Sequence, residues 1–370
     1  MKTSILLLPG KYIQGNGTFE LLAEEAGKLG KKPFILWDQC VKGLFGSKVE
    51  EIFQKSGTVW SEGLFGGETV RAEASRFAAM VCQDGADVVI GIGGGKTLDM
   101  VKAISAIAKI PLMTVPTVAS NDSPCSSYTV WYDCNGNADG FDTWGYCPNV
   151  VLVDTKVIAS SPVRTFIAGI GDALSTWYEA ETTFKSRKNN CVGGLATLSA
   201  MILAQKCRDI LLEFGLDAIR SVQTKTVSPA LEKVVEATIL HSGIGFESGG
   251  LATAHQMANN MSVFEECHGM MHGEEVAFGL VTQLCLDDDC SVYERNRIVD
   301  FLIQIGLPVT LEDIGMKEFN RDKLLPMGKI CEAQGSFAHN HPFEITAESI
   351  VDAMIIANNL GKERKSIYQK

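Results

Sequence analysis

The residue types able to bind a metal are sparse in this chain, which makes their positions informative. There are only six histidines: His241, His255, His268, His272, His339 and His341. Two sit in glycine-flanked polar settings inside helical text. His255 closes Glu247-Ser248-Gly249-Gly250-Leu251-Ala252-Thr253-Ala254-His255, and His272 lies in His268-Gly269-Met270-Met271-His272-Gly273-Glu274. A separation of 17 positions leaves room for a short helix, a loop and a second helix start. Asp172, in Gly169-Ile170-Gly171-Asp172-Ala173, would add a carboxylate to the two imidazoles. Three protein ligands leave one position open for water or a substrate oxygen, as a catalytic metal requires. No HExxH pair occurs, which excludes a zincin. Spacing alone leaves a second reading open: a helix cap at Asp172 and two hydrogen-bonded interior histidines.

A second constellation is Gly91-Ile92-Gly93-Gly94-Gly95-Lys96-Thr97-Leu98-Asp99, entered from Asp87-Val88-Val89-Ile90. A buried strand runs into glycines and then a helix. Glycines let a phosphate approach the backbone amides, and the helix N-terminus adds free N–H groups and partial positive charge. This makes a pyrophosphate site. Its spacing is neither the Rossmann fingerprint nor a Walker loop. A tight strand-to-helix turn with no ligand is the alternative. Asp38 follows the apolar run Phe34–Trp37. A carboxylate there can accept from both ribose hydroxyls and repel a 2′-phosphate, favouring NAD over NADP; it can equally cap the following helix.

The elements that must carry these residues follow from periodicity. Helical spacing over Phe19–Leu29, Val41–Lys55, Glu68–Asp84 and Lys96–Ala108 alternates with apolar runs at Ser4–Leu8, Phe34–Trp37, Thr58–Trp60, Asp87–Gly91 and Pro111–Val115. That rhythm predicts a mostly parallel sheet with helices on both faces. Tyr128–Tyr132 and Val150–Asp154 have strand character, and Asn135-Gly136-Asn137 between them suits a hairpin. Beyond Ser160-Ser161-Pro162 the text is helical: Ile167–Lys185, Val192–Phe214, Pro229–Ser242, Gly250–Ser262 and Gly273–Leu286. The expected division is an α/β nucleotide-binding domain over 1–162 and an all-α domain over 163–370 that binds metal and substrate.

Composition limits the partners. With 370 residues, 46% hydrophobic and 21% charged, the chain reads as globular and two-domain. A net charge of -11 suits neither the phosphate backbone of nucleic acid nor an anionic membrane. No run reaches the ~18 apolar residues of a membrane span, and the start lacks a cleavage pattern. Eleven cysteines, without a CxxC pair, fit reduced thiols of the cytoplasm.

Taken in order, Pro9-Gly10-Lys11-Tyr12, the Gly91–Asp99 loop, Thr114–Ser126, Val153-Asp154-Thr155-Lys156, Gly169–Ala180, Gly243–Leu251 and His272–Gly279 resemble the iron-containing (group III) alcohol dehydrogenase family, glycerol dehydrogenases most of all. The resemblance runs over nearly the whole chain and implies a dehydroquinate synthase-like architecture with NAD in the cleft. It implies that Gly94, Gly95 and Lys96 hold the pyrophosphate and Asp38 the adenosine ribose. Thr117, Ser120, Ser126, Tyr128 and Tyr132 match positions lining the nucleotide. Asp172, His255 and His272 match the metal ligands, with zinc expected over iron. Asp122, Phe246 and His255 match positions at the bound polyol, and Asp122 joins the ligands as a catalytic candidate.

The pattern also departs from glycerol dehydrogenases. Tyr128 replaces a usual leucine, and Gln256-Met257-Ala258-Asn259-Asn260 follows His255 where a second histidine and Asn-Gly are usual. The implied activity is hydride transfer between NAD and a small polyol, in a homo-oligomer of two to eight chains. Three alternatives stay open: a relative acting on another small alcohol, hydroxy acid or aldehyde; a sugar-phosphate cyclase or lyase of the dehydroquinate synthase type; and a nucleotide-binding protein without catalysis. The His339-Asn340-His341-Pro342 segment reads as a surface loop with no assigned role, and Cys125 as a small buried residue.

Overall fold

Strands covered by helices on both faces are apolar at every position, because side chains pointing either way are buried. The computed structural model, which describes residues 2–133 and 138–368, has eight strands. They are β1 (Tyr12–Gly15), β2 (Pro33–Asp38), β3 (Ser61–Phe65), β4 (Val88–Gly93), β5 (Leu112–Pro116), β6 (Tyr128–Tyr132), β7 (Ala138–Thr143) and β8 (Val150–Asp154). Six form one parallel sheet in the order β1-β8-β5-β4-β2-β3, and β6 and β7 form a separate antiparallel pair. Helices α1 (Leu22–Leu29), α2 (Gln39–Ser56), α3 (Arg71–Asp84) and α4 (Gly95–Ala108) cover the sheet. Successive residues of β2 serve opposite faces. Ile35 and Trp37 pack with Leu22, Val49 and Phe53, while Phe34 and Leu36 pack with Phe77, Val81 and Ile104. Each such side chain, fully buried, contributes roughly 1.5–3 kcal/mol relative to exposure.

The sheet order also places a binding position. From β2 the chain leads to edge strand β3; from β4 it leads the other way, to β5. The carboxyl ends of β2 and β4 therefore form the switch point at which open α/β sheets take ligands. Asp38 ends β2 and Gly93 ends β4.

The remaining helices are α5 (Thr155–Ala159), α6 (Val163–Lys185), α7 (Leu198–Gln223), α8 (Pro229–Glu236), a π-helical turn at Ala237–His241, α9 (Ser242–Gly249), α10 (Thr253–Ala258), α11 (His272–Leu286), α12 (Val292–Ile305), α13 (Arg321–Glu332) and α14 (Ala347–Tyr368). Their ends follow local chemistry. Ser228 caps α8 by accepting the Leu231 N–H, with Pro229 in the first turn. Ser291 caps α12, and Gly306 ends it at φ 81°.

Some expectations need correction. Ser4–Leu8 is not a strand: Ser4 makes one isolated bridge to Leu195, and the Asn190 side chain takes the Ile5 carbonyl. The edge beside β8 belongs instead to β1, whose Tyr-Ile-Gln-Gly text is too short and polar to stand out. The third strand begins at Ser61, just after the expected Thr58–Trp60 run. The flanks of the expected hairpin do pair, Val130 opposite Phe141, while Asn135-Gly136-Asn137 lies outside the described residues.

The division also differs from one cut after 162. One compact unit comprises Leu7–Phe166 and Asp217–Ile244; the other comprises Met1–Leu6, Ile167–Leu216 and Gly245–Lys370. Residues 217–244 go with the sheet because Gln14 and Thr155 hydrogen-bond the Glu232 carboxylate of α8 at 2.9 and 2.6 Å.

Candidate metal centre and nucleotide loop

Three helices of the helical unit carry the expected ligands: Asp172 on α6, His255 on α10 and His272 at the start of α11. Missing side chains at adjacent positions let these helices meet. A Cβ on Gly171 would lie 2.6 Å from the Gly273 carbonyl oxygen, and one on Gly273 1.8 Å from that of Ala168. On Gly279 it would lie 2.5 Å from that of Ala254. Gly171, Gly273 and Ala254 are the chain neighbours of Asp172, His272 and His255, so close backbone approach and ligand convergence share one cause. The Glu274 carboxylate accepts the Met271 N–H at 2.8 Å, which fixes the first turn of α11 and with it His272.

His255 Nε2 lies 3.1 Å and His272 Nε2 3.6 Å from Asp172 Oδ1. One donor atom from each residue lies within 4.8 Å of the other two. Donors held about 2 Å from one tetrahedral ion stand roughly 3.3 Å apart, so the set fits a single divalent cation. Asp172 and His255 are buried, whereas the His272 side chain is 38% exposed. The cluster is therefore accessible at His272. Among the described residues no second cluster of this kind occurs, and His339 and His341 join none.

Glu179 supports the centre from below. It is fully buried; its Oε2 meets His255 Nδ1 at 2.5 Å, and its Oε1 accepts the N–H groups of Ala252 and His255 at 2.8 and 2.9 Å. Burial pushes the Glu179 carboxyl up, but the facing His255 ring and these hydrogen bonds outweigh it and hold it below the usual carboxylate range. Burial pushes the His255 ring down, but Glu179 and Asp172 outweigh that and hold it well above the ordinary imidazole value. Two carboxylates around one ring make surroundings in which positive charge is favoured. Sequence reasoning passed over Glu179 and Ser175. Their signal was present, because Asp172, Ser175 and Glu179 stand at i, i+3 and i+7 on one face of α6.

In the α/β unit, β4 ends at Gly93 and α4 begins at Gly95, with Gly94 as an N-cap that has no capping side chain. The first amides of α4 are thus left to a ligand or water. A Cβ on Gly95 would lie 2.2 Å from Asn121 Nδ2, so only glycine lets the loop after β5 close over this turn. Lys96 pairs with Glu68 at 2.7 Å, and its ammonium lies 4.4 Å from the Tyr132 ring centroid. Asp38 accepts the Val41 N–H at 2.8 Å, so it caps α2 at the end of β2.

The loop after β5 is fixed by a residue that sequence reasoning missed. Lys102, buried on α4, reaches Asp99 at 2.9 Å, the hydroxyls of Ser123 and Ser126 at 3.0 and 3.2 Å, and the Tyr128 carbonyl at 2.7 Å. An i,i+3 Asp-Lys pair inside an apolar helix was the available signal. Ser126 is thereby committed to this network. The Thr117 N–H bonds the Gly93 carbonyl at 3.0 Å, and Ser120 is half-buried in the same loop. The Tyr128 ring stacks on Phe141 at 4.7 Å. Asp122 is buried and accepts the Ser242 hydroxyl at 2.9 Å. Phe246 is buried on α9; it belongs to the helical unit and Asp122 to the α/β unit. Cys125 is buried, as expected.

Residues 9–155 match the family model for iron-containing alcohol dehydrogenases. The chain is 40% identical to the glycerol dehydrogenase of Thermotoga maritima over 362 residues, covering 98% of each. The chain belongs to the iron-containing alcohol dehydrogenase family. Within that family it is 35% identical to the glycolaldehyde reductase of Halobacterium salinarum, over 97% of this chain and 98% of that one. The crystal structure of glycerol dehydrogenase from Schizosaccharomyces pombe superposes with a TM-score of 0.95 at 34% identity, covering 100% of this chain and 94% of that chain. The parallel sheet and helical half are those of an iron-containing alcohol dehydrogenase, and the chain is an oxidoreductase of this family.

Proposed function

We propose that this alcohol dehydrogenase transfers hydride between NAD and a small polyol, glycerol or another vicinal diol, with one divalent metal held by Asp172, His255 and His272. Support comes from the convergence of one carboxylate and two imidazoles within 4.8 Å. The chain that presents them is 40% identical to a glycerol dehydrogenase over 98% of its length. When bound, the cation supplies Lewis acidity toward a substrate oxygen and NAD supplies the hydride acceptor.

The chain's own groups bind and orient. Gly94, Gly95 and Lys96 with the N-terminus of α4 receive the pyrophosphate. Asp38 receives the adenosine ribose and disfavours a 2′-phosphate, which makes NAD the cofactor. Thr117, Ser120, Ser126, Tyr128 and Tyr132 line the nucleotide, with Ser126 also bound to Lys102. Asp122, Phe246 and His255 face the polyol. Zinc is the proposed ion, although the donor set accepts iron as well. The working form is a cytoplasmic homo-oligomer without nucleic-acid or membrane partners. No described helix is long and apolar enough to cross a membrane.

A second reading runs the same chemistry as reduction of a small hydroxyaldehyde; the glycolaldehyde reductase relative favours it. A sugar-phosphate cyclase is disfavoured, because α10 and α11, which carry His255 and His272, contain no lysine or arginine that could receive an anionic substrate. Initial rates with glycerol, 1,2-propanediol, ethanol and glycolaldehyde, using NAD(H) and NADP(H), test the proposal. NAD-linked oxidation that is faster on the diols than on ethanol is expected. Reduction of glycolaldehyde with no diol oxidation would favour the second reading, and no net change in NAD with any of them contradicts both.

A further inference from the structure

We propose that Glu179 is a positioning residue that sets the metal affinity of the centre by dictating which nitrogen of His255 carries the proton. This rests on the reading that Asp172, His255 and His272 hold a cation.

A neutral imidazole has one lone pair to offer. Here it must be at Nε2, because Nε2 is the nitrogen that faces Asp172, at 3.1 Å. The ring proton must then sit on Nδ1 and needs an acceptor there. Glu179 Oε2 stands 2.5 Å from Nδ1. An ionised carboxylate can only accept, so of the two neutral tautomers this contact admits one, that with Nε2 bare. Nor can the carboxylate turn away. Oε1 is held by the N–H groups of Ala252 and His255, and Oε2 also receives the Ser175 hydroxyl at 3.0 Å.

Those two N–H groups belong to the first turn of α10, which has no capping side chain of its own. Glu179 therefore caps the helix that carries His255 and orients the ring that the helix presents. Both Glu179 and His255 are buried, so water does not replace the contact.

Glu179→Gln separates this role from simple capping. The amide keeps an oxygen for the two N–H groups of α10. It turns its NH2 toward Nδ1, which must then accept, moving the ring proton to Nε2 and blocking the metal. Zinc affinity of chelator-stripped protein, measured by competition with a chromophoric chelator, is expected to fall about 10–100-fold in the variant. NAD affinity of the metal-free protein serves as the fold check and should not change. Equal zinc affinity in wild type and Glu179→Gln overturns the proposal.

Should the variant fail to fold, ring-nitrogen NMR of zinc-loaded wild type labelled with 15N-histidine decides. His255 must show Nδ1–H with Nε2 bound, and a ring bound through Nδ1 overturns the idea. Wild type that takes up no zinc at all overturns the underlying metal reading and this proposal with it. That failure is distinct from a wild type that binds zinc and a variant that binds it equally.

Discussion

Asp172 is the oxygen that both imidazoles face, so it is the residue whose loss should matter most. Asp172→Asn keeps the shape and removes the charge. Its zinc-supported turnover is expected to drop roughly 10²–10³-fold, the scale seen when one preorganised electrostatic group is lost, while NAD binding holds; steady-state kinetics beside NAD titration checks this. Asp122 already accepts the Ser242 hydroxyl. Asp122→Asn should lower kcat/KM for 1,2-propanediol about tenfold more than for ethanol, the worth of one hydrogen bond near 1.4 kcal/mol. Equal losses would remove Asp122 from diol recognition. Lys102→Met leaves the buried Asp99 without its cation and should destabilise the protein by about 3–5 kcal/mol in denaturant titration. At this scale the sequence shows residue types more readily than partners. The three candidate ligands could be singled out because histidine is rare and glycines flank it. Glu179 and Lys102 offered only a helical spacing to a neighbouring polar residue; the partners that give them their meaning lie 76 and 24–26 positions away.

At the scale of elements, contact between backbones decides the centre. Gly273→Ala would push a methyl group into the Ala168 carbonyl of α6, where the Cβ distance is 1.8 Å. Overpacking of this kind costs roughly 1–3 kcal/mol or more, and here it also separates α11 from α6. Zinc affinity and thermal midpoint should fall together. Gly269→Ala, whose Cβ would meet nothing within 4 Å, is the matched control and should leave both unchanged. If the two variants behave alike, helix approach does not govern the site. Elements buried on both faces were legible in advance: β2, β4, β5 and β8 are mostly apolar runs, broken only by Thr114 in β5 and a closing aspartate in β2 and β8. β1 was not, since four half-buried residues carry no clear period, nor was the switch from α8 through a π turn to α9, where the apolar pattern continues without a break.

For the whole molecule, acid stability follows from carboxylates held below their usual range. Burial pushes Asp87 up, but the N–H groups of Lys31 and Lys32 outweigh it; burial pushes Asp313 up, but Lys365 and the Val309 N–H outweigh it. A carboxyl whose value is lower in the folded state contributes stability that is fully present above its unfolded value near 4. That stability is lost as pH falls through the folded value. The urea midpoint of metal-free protein should therefore hold down to about pH 5 and fall below about pH 4. A midpoint that stays level to about pH 2.5 would show these contacts to be energetically idle.

The two-part organisation was legible from the change in periodicity near 162. The return of residues 217–244 to the sheet-bearing unit was not, because it depends on Glu232 meeting Gln14 and Thr155 across more than 75 positions. One cation at Asp172, His255 and His272 is proposed to make this chain an NAD-linked polyol dehydrogenase. Titrating zinc into chelator-stripped protein, with glycerol and NAD present and NADH absorbance recorded, addresses it most directly. Activity should rise in proportion to zinc and level off at about one ion per chain, with Asp172→Asn remaining near the baseline throughout. Full activity in the stripped enzyme, or a rise that Asp172→Asn shares, would contradict the account.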